Sequence, residues 1–215
     1  MTSRRAALAA STSPVLFSHS SVRALNDHPC NVADPVLELL RDNGGVIQLT
    51  FVPYFISAEV AAWAQESQAE RERLGLPSPP WTWPRAPRPG EEPAHVAKEF
   101  EAGFAATADD DRLRRWTEQH PRPEVTVAQV ADHVEHAREV AGRDHIGLGG
   151  DYDGVDHQPT GLADVSGYPV LLRELADRGW SRSDLEALTV RNVLRVLHEA
   201  EHRATEPLWS TAPLR

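Results

Sequence analysis

The sequence predicts an α/β fold built on a parallel sheet, and three observations predict it. First, short apolar, strand-like runs alternate with helical patterns along the chain. Second, two of those runs, Pro14-Val15-Leu16-Phe17 and His145-Ile146-Gly147-Leu148, finish in ligand-competent residues. One is followed by Ser18-His19-Ser20-Ser21, the other by Gly149-Gly150-Asp151-Tyr152-Asp153-Gly154. Strand ends of that kind make up the top face of a (β/α) barrel, where such enzymes keep their chemistry. Third, three strands are readable, whereas a closed barrel of this class takes about eight. The expected architecture is therefore a partial (β/α) barrel.

Each element has its own sequence signal. Residues 4–10 read as the last turns of a helix, followed by the strand at 14–17. A helix is expected over 34–43, with apolar Val36, Leu37, Leu39 and Leu40, and Asn43-Gly44-Gly45 stops it. Val46-Ile47-Gln48-Leu49-Thr50-Phe51-Val52 is β-branched and mostly apolar, so it reads as a strand buried on both faces. Residues 57–74 form a charged amphipathic helix. Six prolines between 77 and 89 then exclude a helix or a central strand. Residues 76–94 are expected to be an irregular excursion, pinned to the body by Trp81 and Trp83 or using them as a binding lip.

Helical stretches near 95–107 and 109–119 follow. Thr126-Val127-Ala128-Gln129 has capping-box spacing and opens a helix that Gly142 ends. Beyond the aspartate loop, helices are expected near 167–178 and 183–202. Ser181 and Asp184 cap the second, and Leu185, Leu188, Val193, Leu194 and Leu197 give it a buried face. The expected organisation is one domain over 1–202 and a loose tail over 203–215.

The bulk properties exclude several functions. A chain of 215 residues can bury a sizeable core. A net charge of -10 argues against nucleic acid or an anionic membrane as partner. Cys30 is the single cysteine, so an internal disulfide is impossible, which fits a reducing, cytoplasmic compartment. No run is long enough to span a bilayer. Ser3-Arg4-Arg5 superficially resembles an export signal, but the apolar run after it is cut short by Ser11-Thr12-Ser13-Pro14.

His19 is the best metal-ligand candidate among ten histidines, because it follows a strand at the face where ligands converge. Asp151 and Asp153 are two apart and point in opposite directions, so one of them can face the cavity. A carboxylate there can bind a metal, accept a proton or hold a substrate ammonium. His133 and His136 lie three apart on the predicted helix and read as surface residues on its polar side. The G-x-S-x-G elbow, the Walker loop and the dinucleotide fingerprint are all absent.

At these residues the chain resembles the membrane (renal) dipeptidase family of zinc metallopeptidases. The resemblance rests on Pro14–Ser21, Asn31-Val32-x-Asp34, Val130-Ala131-Asp132-His133 and Val140-Ala141-Gly142. It continues through Gly147-x-Gly149-Gly150-Asp151-Tyr152-Asp153-Gly154-Val155, Gly161-Leu162-x-Asp164-Val165-Ser166-x-Tyr168-Pro169 and Asn192-Val193-Leu194-Arg195-Val196. These segments run in family order over nearly the whole chain.

The resemblance implies a (β/α)₈ TIM barrel of the metal-dependent hydrolase type, of which this chain carries about the last three βα units. It implies a binuclear zinc site and hydrolysis of dipeptides or related small amides. His19 matches one of the family's ligand histidines, and Asp151 matches its active-site aspartate, which contacts substrate and handles a proton. The family's His-x-Asp pair, bridging glutamate and other histidine would lie before residue 1. Cys30 stands where the family commonly has the arginine that binds the substrate carboxylate, and a thiol cannot make that bidentate contact. Arg23, on the same loop, is the nearest replacement by sequence. With one ligand retained, the chain alone is expected to be inactive and to hold zinc weakly. The alternatives are a truncated or split product that needs an N-terminal half-barrel, or a non-catalytic binding remnant. Expected partners are a dipeptide substrate, that half-barrel, or a second copy of the chain.

Overall fold

The computed structural model describes residues 3–76, 87–99, 110–155 and 157–203. The expected tryptophan lip and all but the first residue of the expected tail lie outside these. The described residues divide into two compact units, one within Met1–Ala58 and Val125–Arg215, the other within Glu59–Glu124.

In the first unit, α1 (Ser3–Ala10) leads to β1 (Leu16–Ser20), α2 (Asp34–Asn43) and β2 (Val46–Leu49). A short α3 (Pro53–Ile56) follows. After the second unit come α7 (Val127–Ala141), β3 (Ile146–Leu148), α8 (Tyr168–Asp177), α9 (Arg182–Glu186) and α10 (Asn192–Arg203). The strands form one parallel sheet in the order β1-β2-β3. Ile47 pairs with Phe17 on one side and with Ile146 on the other.

The local signals work as their chemistry dictates. Gly44 ends α2 at φ 79°, and its N–H reaches back to the carbonyls of Arg41 and Leu40. Thr126 and Gln129 cap α7 reciprocally, and Ser181 and Asp184 do the same for α9. β2 ends before Thr50, because Pro53 occupies the first helical position of α3 and Val52 caps it.

The core lies around β2, where Val46, Ile47 and Leu49 are fully buried. Leu37 and Leu40 of α2 are buried too, as are Val130, Val134 and Ala137 of α7 and Ile146 of β3. β1 is less covered than its apolar sequence suggests. Leu16 and Phe17 are half-buried, and Ser18 and His19 are exposed. β1 is an edge strand among the described residues.

The largest departure from the predicted helix pattern is at Ala187–Arg191, which forms a π turn. A π turn sets the following residues out of the phase of an uninterrupted α-helix. The predicted stripe therefore breaks. Leu188 is buried, but Leu194 and Leu197 are 44% and 50% exposed, while Asn192 and Val196 turn inward.

The second unit holds α4 (Ala58–Leu74), a helix over 93–99 (α5) and α6 (Asp111–Gln119). Asp110 caps α6 by accepting from the N–H groups of Arg112 and Leu113. The Trp63 indole of α4 donates to the carbonyl of His120, and the Arg122 guanidinium sits 4.6 Å over the Trp63 ring.

Candidate functional site

His19, the penultimate residue of β1, and Asp151, three residues past the end of β3, lie at the carboxyl end of the parallel sheet. β1 pairs with β2 irregularly between Phe17 and Ser20. At this irregularity the Ser18 carbonyl is directed at Gly149, where a Cβ would sit 2.1 Å from the oxygen. Only glycine allows the segment after β3 to come so close to the β1 backbone. The two motifs found in sequence are thus joined by backbone contact.

His19 presents an exposed imidazole, with Nδ1 2.8 Å from the Ser18 hydroxyl. A hydroxyl on one ring nitrogen orients the ring and leaves the other for a ligand, as metal-ligating histidines require. Asp151 has φ 58°, and it is the one non-glycine residue with positive φ among the described residues. Strained backbone of this kind clusters at functional sites. Its carboxylate folds over Gly154, where a Cβ would meet Oδ1 at 2.5 Å. Asp153 is exposed.

Aromatic packing holds the aspartate loop. Phe51 packs against Tyr152 with ring centroids 5.9 Å apart and against Tyr168 at 5.5 Å. The Tyr152 hydroxyl donates to the Asp164 carbonyl at 2.9 Å. Burial pushes that phenol up to about 12, so it stays protonated and a donor at ordinary pH. These rings carry no motif that marks them in the sequence as a clamp. The Tyr168-Pro169 start of α8 and the tyrosine between the two aspartates were the available signals.

Cys30 is exposed on the loop after β1. Two guanidiniums serve this loop. Arg23 donates to the carbonyls of Pro29 at 2.9 Å and His28 at 3.3 Å. Arg4 of α1 donates to the carbonyls of Cys30 and Asn31 and to the Ser20 hydroxyl. Arg4 was not foreseen, because its contact with the loop spans 26 residues of chain.

His133 differs from its sequence reading. It is buried at 2% exposure. Its Nδ1 accepts from the Val22 N–H at 3.2 Å, and its Nε2 faces the Ile56 carbonyl at 3.0 Å. The ring is therefore neutral with the proton on Nε2, and burial brings it down to about 4. It fastens the loop after β1 to α3 and α7. His136 instead lies 2.9 Å from an Asp34 carboxylate oxygen.

Known proteins can now be compared with this arrangement. The profile of "Membrane dipeptidase (Peptidase family M19)" matches residues 2–210. The chain belongs to the membrane dipeptidase family. It is similar to dipeptidase aclJ of Aspergillus oryzae, 31% identical over all of this chain and 36% of that protein. Human dipeptidase 3 is 30% identical over 97% of this chain and 31% of its own length. The chain thus spans about a third of the curated relatives it matches.

Among solved structures, the probable dipeptidase PvdM of Pseudomonas aeruginosa superposes with a TM-score of 0.66 at 26% identity. That match covers 94% of this chain and 48% of that one. A Rhodobacter sphaeroides metallopeptidase liganded with a phosphinate mimic of L-Ala-D-Ala shares the fold, with a TM-score of 0.59 at 20% identity. It covers 91% of this chain and 39% of that one.

The family is one of metallopeptidases, and the residues here fit one metal-ligand position: an exposed imidazole oriented through Nδ1. A zinc ion takes about three protein ligands or more. Among the described residues, the one group of three metal-competent side chains is Glu91, His95 and Glu99, in the second unit. There His95 pairs with Glu99 one helical turn on, at 3.3 Å. No described helix is long and apolar enough to cross a membrane.

Proposed function

We propose that this chain carries the carboxyl-terminal part of a zinc metallodipeptidase barrel, with its share of the active site at the His19–Asp151 end of the sheet. The observation that supports this best is the close approach of Ser18 to Gly149, which gathers both candidate residues to one sheet end.

In this reading His19 offers Nε2 as one zinc ligand, with Ser18 holding the ring. Zinc, when bound, supplies Lewis-acid chemistry for amide hydrolysis. Asp151 binds the free amino group of a dipeptide or small amide and handles the proton passed to the leaving amine. Its loop is held by the strained backbone at Asp151 and by the Tyr152 hydroxyl on the Asp164 carbonyl. Cys30 lacks a charged donor for the substrate carboxylate. Arg23 and Arg4 already give donors to the loop carbonyls, so they act on that carboxylate mainly through charge.

Two zinc ions need more ligands than His19. The rest come from further strands of a (β/α)₈ barrel, on the same polypeptide or another, that continue the sheet beyond β1 and β3. Residues 1–215 by themselves then hold zinc weakly and do not turn over dipeptides. The test is zinc content and L-Ala-D-Ala hydrolysis, measured on the chain alone and after co-expression with an N-terminal half-barrel from a relative. Activity that requires the half-barrel and disappears with His19→Ala supports the reading. Turnover by the complemented barrel that is unchanged in both His19→Ala and Asp151→Ala overturns it.

A further inference from the structure

The opposite end of the sheet holds a cleft of about 530 Å³ at the start of β3. Its walls include Arg143, His145, Ser183, Arg191, Asn192 and Arg195. We propose that this cleft is an anion-binding site that takes a ligand bearing a phosphoryl group. The proposal is independent of the dipeptidase reading, because the cleft is at the amino end of β3.

Charge favours an anion. The chain carries a net charge of -10, yet three guanidiniums line this cleft beside one carboxylate, Asp144. Two more carboxylates lie behind the wall, and both are already paired. Asp184 takes the Ser181 hydroxyl at 2.7 Å and Arg138 at 3.4 Å. Glu186 takes Arg182 at 2.9 Å. The cleft therefore keeps a surplus of positive charge.

The guanidiniums also keep donor capacity. Arg143 lies 3.4 Å from Asp184 and 3.5 Å from Asp144, longer than charge-assisted bonds normally run. Because Asp184 is satisfied without it, Arg143 is free to turn to a ligand. Arg191 gives one nitrogen to the Ser183 carbonyl and hydroxyl and lies 3.9 Å from Glu186. Arg195 is a fixed wall, donating to the carbonyls of Gly44 at 2.7 Å and Asp144 at 2.9 Å. A guanidinium has five N–H donors, so each of the three keeps some in reserve.

The backbone shapes this wall. The π turn at Ala187–Arg191 resets the helix, so that Asn192 reaches the carbonyls of Arg143 and Ile146. Arg191 and Arg195, four apart, face the same way. Such turns occur frequently at functional sites. Several guanidiniums lining one cleft suit the three terminal oxygens of a phosphoryl group better than a single carboxylate, and the volume suits a small phosphorylated molecule.

Isothermal titration of the full chain with pyrophosphate at about 0.15 M salt tests the site, where weak surface attraction is screened. Binding should weaken roughly tenfold or more in Arg143→Gln and in Arg191→Gln, the loss of one charge-assisted contact. It should stay unchanged in Arg173→Gln, an exposed arginine of α8 outside the cleft. Asp144→Asn, which removes the lining carboxylate, should tighten binding, and it keeps the test decisive if an arginine variant melts early. Equal loss in all three arginine variants, unaltered binding in Asp144→Asn, or no binding at millimolar pyrophosphate overturns the proposal. Citrate binding as tight as pyrophosphate overturns the phosphoryl assignment.

Discussion

The carbonyl oxygen of Ser18 occupies the space where a side chain on Gly149 would begin, 2.1 Å from the ideal Cβ position. The neighbouring β2 is close as well, with the Gln48 Cβ 3.0 Å away. Gly149→Ala must therefore move backbone, not a flexible side-chain tip. We expect a loss of about 1–3 kcal/mol, the usual cost of overpacking. Gly154→Ala differs, because its Cβ meets the Asp151 carboxylate, the free end of a side chain. Urea unfolding should show the larger loss at 149, while any activity of a complemented barrel should fall in both variants.

Asn192 is 4% exposed and donates to the carbonyls of Arg143 and Ile146 at 2.7 and 2.8 Å. Asn192→Ala orphans two carbonyls and should cost roughly 2–4 kcal/mol. Asn192→Asp should be worse, since it aims a carboxylate at two acceptors. Thermal unfolding of both variants measures this, and equal melting temperatures for all three proteins would contradict it.

His133 makes stability depend on pH. Its folded-state value is about 4, below the ordinary 6.5, because burial disfavours the charged ring. Between these values the unfolded chain binds the proton and the folded chain does not, so stability rises with pH. The contribution is complete above about pH 6.5 and is lost as pH falls toward 4, by up to roughly 3 kcal/mol. Urea midpoints from pH 7 to 4 should fall more steeply in the parent than in His133→Gln, which cannot titrate.

On the proposed reading, Cys30→Arg supplies a fork for the substrate carboxylate. In a complemented, active barrel, Cys30→Arg should lower KM about tenfold and leave kcat nearly unchanged, as uniform binding requires. Arg4 and Arg23 beside the loop limit the gain through like-charge repulsion. Unchanged kinetics would mean that those two already do the work.

The strands and caps were legible because their signals are local: Thr126 with Gln129, Ser181 with Asp184, and Gly44 after α2. The ends of β1 were less so. The apolar run points to 14–17, but the paired strand is Leu16–Ser20, since pairing is decided by β2. His133 was misread although the spacing held the answer. It is three residues after Val130 and four before Ala137, both fully buried, so it shares their face. The π turn has no sequence signature, and it moved Leu194 and Leu197 out of the expected buried stripe. The His19 and Asp151 loops were visible as motifs. The Arg4 clasp was not, because nothing within a helix of eight residues announces a partner in a distant loop.

The left-handed backbone at Asp151 decides what a mutational screen would see at that position. Asparagine and glycine enter this conformation readily, whereas branched and bulky residues do not. A screen for folded protein would pass Asn and Gly at 151 and reject Val and Ile. A screen for hydrolysis in a complemented barrel would reject Asn as well, because an amide cannot take up the proton. The two tolerance profiles diverge at one substitution, Asp151→Asn. That single amino acid separates what the fold demands of residue 151 from what the chemistry demands of it.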